Sequence, residues 1–96
     1  MDTKSLVNLV QYAIDYGPSF LDAWRDADPS NRPVGVSDRI LQGVIDAHVG
    51  KTLELPAISR GTDGLWRVDG LAMVFDSQEN ATTAAEVVAR VRASEN

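Results

Sequence analysis

Gly64-Leu65-Trp66-Arg67-Val68-Asp69-Gly70-Leu71-Ala72-Met73-Val74-Phe75 is two short apolar runs joined by Asp-Gly. Asp-Gly accepts the positive φ angles of a two-residue type I′ turn, so the stretch predicts a β-hairpin over 65–75. A two-residue loop fixes the register: Val68 opposite Leu71, Arg67 opposite Ala72, Trp66 opposite Met73 and Leu65 opposite Val74. Alternation then puts Trp66, Val68, Leu71, Met73 and Phe75 on one face, which is core. Leu65, Arg67, Ala72 and Val74 share the other, which is only half polar.

Upstream, residues 52–58 alternate, with Leu53, Leu55 and Ala57 on one side and Thr52, Glu54 and Pro56 on the other. A proline in a central strand wastes a ladder hydrogen bond, so this segment is expected as an edge strand beside the hairpin. Residues 59–63 are expected as loop. Downstream, a helix is expected over about 81–93, with a Thr83/Glu86 capping box, a Glu86–Arg90 pair, and Ala84, Val87, Val88 and Val91 facing inward.

The first half reads as helical. Leu6, Leu9, Val10, Ala13 and Ile14 recur at helical spacing from a cap at Asp2 or Thr3, and Gly17-Pro18 stops them. A short second helix carries Phe20, Leu21 and Trp24 on one side. Residues 26–36, rich in Pro, Asp, Ser, Asn and Gly, form a surface loop. Ser37 caps a third helix whose stripe is Ile40, Leu41, Val44, Ile45 and Val49, ended by Gly50. The expected fold is therefore α+β: a three-stranded antiparallel sheet, from the hairpin 65–75 and the edge strand 52–58, packed with three to four helices in one domain spanning 1–96.

Composition narrows the function classes. With 44% hydrophobic and 24% charged residues the chain has an ordinary globular make-up, and without cysteine it has no disulfide, thiolate metal site or cysteine nucleophile. No stretch has the look of a signal peptide or membrane span, so a cytoplasmic protein is expected. The net charge is −5, with four basic against seven acidic residues in 1–50 and five against seven in 51–96. Neither half offers a general field for phosphates.

Individual motifs carry little chemistry. Asp26, Asp28 and Ser30 mimic the start of a calcium loop, but Asn31 stands where the turning glycine belongs and Ser37 where the bidentate glutamate belongs. His48, the single histidine, lacks the partners that a general base or a zinc site needs. Gly61-Thr62-Asp63-Gly64 precedes a strand rather than opening a helix, so it is a turn and not a phosphate cradle. No catalytic, metal-binding or cofactor-binding residue is assigned, and no enzyme activity is expected.

The order of elements matches two nucleic-acid-binding outlines. The short helix, the helix beginning at Asp38 and the following hairpin have the order of a winged helix-turn-helix. Gly64-Leu-Trp-Arg and Phe75-Asp-Ser-Gln-Glu-Asn-Ala81, within three strands followed by a helix, are similar to the small sheet domains of phage-integrase arms and some transcription factors. That resemblance covers less than a third of the chain and implies a small DNA-binding regulator. A recognition surface needs donors for phosphates and base edges, and both candidate surfaces are poor in cations. The favoured expectation is a small acidic protein acting by protein–protein association, as a homodimer or as an adaptor or inhibitor of another protein. Its partner-binding residues would be Leu65, Arg67, Ala72 and Val74, with no membrane role and no cofactor.

Overall fold

Ser77 starts the helix around which the rest is arranged. In the computed structural model, which describes residues 3–16, 20–26, 35–47 and 54–95, the Ser77 hydroxyl accepts from the Asn80 amide at 3.2 Å and its carbonyl from the Ala81 amide at 3.2 Å. The helix therefore begins three residues before the expected Ala81. It also runs past Ala93. Thr83 is not a cap: it lies inside the helix and donates its hydroxyl to the Glu79 carbonyl at 3.1 Å.

The elements in order are α1 (Thr3–Tyr16), α2 (Phe20–Asp26), α3 (Asp38–Asp46), β1 (Ile58–Arg60), β2 (Trp66–Val68), β3 (Val74–Phe75) and α4 (Gln78–Glu95). The strands form one antiparallel sheet of order β1-β2-β3. The α+β class and the small antiparallel sheet agree with the sequence pattern, which leaves open how the helices are layered on the sheet. α4 touches all three strands and also α1 and α3, so it is the helix that the sheet and the other helices share. Its sequence explains this. Ala81, Ala84, Ala85, Val87, Val88, Ala89 and Val91 are all buried and occupy roughly 200° of the helix circumference, far more than a one-sided stripe. Small side chains at these positions let neighbours approach from several directions. Leu9, Val10, Leu41, Val44, Val68 and Phe75 complete the core, each large aliphatic contributing about 1.5–3 kcal/mol by burial.

α3 is capped as expected, the Ser37 hydroxyl accepting from the Ile40 amide at 3.2 Å. Gly43, in the middle of α3, is unfavourable for a helix by about 1 kcal/mol relative to alanine. Packing requires it: a Cβ there would lie 2.5 Å from the Ser94 Cβ of α4. The expected Glu86–Arg90 pair is replaced by a longer reach. The Arg90 guanidinium donates to the carbonyls of Val44, at 3.0 Å, and Ala47, which close the C-terminal end of α3.

The strand boundaries are corrected. Glu54–Ala57 is not strand, and pairing begins at Ile58, after the buried Pro56, with Ile58 opposite Val68 and Arg60 opposite Trp66. Ser59 and Arg60, expected in a loop, belong to β1. β1 and β2 form the tighter hairpin, with loop Thr62-Asp63-Gly64 closed by Gly61 N–H to the Leu65 carbonyl at 2.8 Å and Gly64 N–H to the Gly61 carbonyl at 3.0 Å. Gly64 has φ 81°, the three-residue pattern of a turn followed by a left-handed glycine.

The Asp69-Gly70 turn is also corrected. Gly70 has φ 86°, no non-glycine residue among those described has a positive φ, and Leu71 N–H donates to the Val68 carbonyl at 3.1 Å, which makes the turn type II. A type II turn does not match the strand twist, so pairing resumes only at Val74. Arg67 is opposite Val74 and Trp66 opposite Phe75. The register has moved by two residues, and because side chains alternate with period two the faces survive: Val68 and Phe75 are buried, with Trp66, Leu71 and Met73 packed against them. Gly70→Val is expected to destabilise the fold by about 1–2 kcal/mol, since a β-branched residue is strained at that φ. Denaturant titration checks it, and an unchanged midpoint refutes it.

The expectations for Gly17-Pro18, Asp28, Ser30, His48, Val49, Gly50, Thr52 and Leu53, and for the side chains of Phe20, Leu21, Trp24 and Ile45, lie outside the described residues.

Candidate functional site

The four residues expected to bind a partner are only partly gathered. Arg67 and Val74 are cross-strand neighbours on the outward face, in a row with Ser59 of β1. Leu65 and Val74, expected opposite each other, are not paired, because the longer loop gives Val74 to Arg67. Ala72 is exposed in that loop rather than on a strand.

Arg67 is held by its own hairpin. Asp63 accepts from the Leu65 amide at 3.0 Å and takes the Arg67 guanidinium in a two-point pair, at 3.2 and 2.9 Å. These bonds to the charged form, the Arg67 bond first, lower the Asp63 carboxyl from 3.8 to about 2. A carboxyl lowered on folding adds stability that is complete above the unfolded value and lost as pH falls through the folded one. The chain is therefore expected to lose stability between pH 3.8 and about 2, and Asp63→Asn should flatten that part of an acid-denaturation profile. An identical profile in the variant would show that the pair is immaterial to folding.

Val74 stands differently. It is 50% exposed, on the outermost strand, and with Leu65 it lines a cleft of about 370 Å³ whose other walls are Gln11, Ile14, Met73, Phe75, Asp76 and Asn80. Four consecutive residues, Met73 to Asp76, line it. Side chains of a strand alternate between faces, so a cleft meeting all four runs along the edge of β3 rather than over one face. Gln11 and Ile14, three apart on α1, supply the facing wall. The rim is polar: Gln11 donates its amide to Asp15 at 2.8 Å, and Asn80 donates to Asp76 at 3.3 Å.

Sequence reasoning missed the α1 wall. Ile14 belongs to the apolar stripe of α1 and packs partly against the core, and nothing in the spacing of α1 shows that it also lines a cleft with β3. Asp76 lines the cleft, whereas Glu54 is exposed before β1 and does not.

Among the described residues no three His, Asp or Glu side chains gather to hold a metal ion, and no helix is long and apolar enough to cross a membrane. Comparison with known proteins gives no relative for the chain: no family model, no curated protein and no solved structure matches it.

Proposed function

We propose that this protein acts by binding another protein chain through the β3 side of its sheet, with no reaction of its own. The observation that supports this best is Val74, a β-branched residue half in water on an edge strand, beside Leu65, Met73, Phe75 and Ile14 in one cleft. An apolar centre rimmed by Gln11, Asp76 and Asn80 has the anatomy of an association site. The partner is a second copy, giving a homodimer, or a different protein for which this acidic chain is an adaptor or inhibitor. We propose the cytoplasm as its location; without cysteine the chain needs no oxidising compartment to fold. Reading DNA with the sheet fits less well: the outward row is Ser59, Arg67 and Val74, and its arginine is engaged by Asp63.

The double change Leu65→Ser with Val74→Thr tests the site. The expected product is a folded protein whose association, followed by sedimentation velocity or titration with a recovered partner, weakens by about tenfold or more. A folded variant that associates as the unaltered chain does places the site elsewhere.

A further inference from the structure

We infer that the cleft takes an extended, cationic peptide segment of a different protein, laid along the free edge of β3 as a fourth strand; this rests on the association reading above and names its partner. Three observations carry it. The first is the free edge. β3 is last in the order β1-β2-β3, and among the described residues β2 is the one segment whose backbone bonds to it. An unpaired edge offers a row of N–H and C=O groups to an incoming strand.

The second is the shape of the space beside that edge. The cleft follows Met73-Val74-Phe75-Asp76 and is walled opposite by Gln11 and Ile14, so a chain laid along β3 would lie between strand and helix. Its apolar lining, Leu65, Val74, Met73, Phe75 and Ile14, accepts every second side chain of an added strand.

The third is charge. Asp76 is the one ionised residue lining the cleft, and Asp15 lies one turn along α1 from Gln11, held by its amide. The amide nitrogens of Gln11 and Asn80 are turned to these two carboxylates, which gathers acceptors at the rim with no cation among the lining residues. A second copy would bring the same rim and another net charge of −5, so like charges oppose self-pairing there. Lysine or arginine on the strand positions between the apolar anchors meets the rim instead.

The experiment uses the full chain and a short capped peptide of alternating lysine and valine. Controls are a glutamate–valine peptide and two lysine–valine peptides with N-methyl groups on alternate backbone nitrogens, one on each edge. Binding is followed by amide chemical shifts and by fluorescence titration. The lysine–valine peptide is expected to shift the amides of Met73 to Asp76 and of Ile14, and to bind about tenfold more tightly than the glutamate peptide. One N-methylated peptide should lose about tenfold and the other bind normally, since only one edge of the peptide faces β3. Asp76→Lys should remove the preference for lysine.

Equal binding by both N-methylated peptides, shifts spread over the acidic surface, or no binding by any peptide overturns the inference. The double change Leu65→Ser with Val74→Thr separates its failure from that of the association reading. If that variant loses self-association while no peptide binds the unaltered chain, association stands, with a second copy as the occupant. If it loses nothing and no peptide binds, both fail.

Discussion

Glutamate in place of Ala85 is expected to leave the chain unfolded. Ala85 has no exposed surface and belongs to the core cluster, on the helix that both the sheet and the other helices cover. A carboxylate there has no cation built to receive it, and an unpaired buried charge costs about 3–5 kcal/mol. The extra side-chain volume adds about 1–3 kcal/mol of overpacking. Against a total stability of about 5–15 kcal/mol for a domain of this kind, the sum removes most or all of the folded population. Far-ultraviolet circular dichroism and amide dispersion check it, with Glu86→Ala, one residue along and exposed, as the near-neutral control. A native-like spectrum for Ala85→Glu would mean that α4 is not interior.

Arg90→Ala is expected to cost about 1.5–3 kcal/mol, the range for hydrogen bonds made by a charged group. The half-buried guanidinium spans two carbonyls at the end of α3 and places its positive charge against the negative end of that helix. Removing it also leaves those carbonyls short of a donor. With a melting shift of about 4–8 °C per kcal/mol for a domain of this size, the loss is easily seen. Both bonds leave the same nitrogen, Nη1, so Arg90→Lys should recover part of the loss; a lysine ammonium can serve two acceptors but is more strongly hydrated and sits on a differently shaped stem. Faster hydrogen exchange confined to α3 would locate the effect; a melting temperature equal to that of the unaltered chain would remove the clamp from the account.

What the sequence disclosed, and what it hid, divides along the range of the forces involved. Local signals were legible. Leu9, Val10 and Ala13 at helical spacing mark α1, Ser37 marks the start of α3, and the alternation through Trp66 and Val68 marks the core face of the sheet. Boundaries set by a choice between local partners were less so. Ser77 and Thr83 are both good caps by composition, and the structure uses Ser77 because the helix then begins directly after Phe75 enters the core. Asp69-Gly70 is compatible with more than one turn, and the type II form moved the register by two residues without exchanging the faces. Long-range contacts were illegible. Nothing in the spacing near Arg90 points to Val44 and Ala47, and nothing near Gln11 points to β3, so half of the cleft was invisible until the chain was folded.

The interior place of α4 bears on how the protein is made. Chains emerge from the ribosome N-terminus first, and most domains can begin to consolidate as they do so. Here α1 and α3 find their main surface on residues 78–95, and so does the sheet. Until that stretch has been synthesised, Leu9, Val10, Leu41, Val44, Val68 and Phe75 have no common core to enter, and the β3 edge is open beside them. The nascent chain must wait with its apolar faces uncovered, and its main helix contacts join segments roughly forty-five positions apart for α3 with α4 and roughly seventy-five for α1 with α4, the arrangement that slows folding. A holding chaperone, or a basic partner already lying along β3, would protect that interval; the acidic surface offers the remaining defence, through repulsion between neighbouring copies.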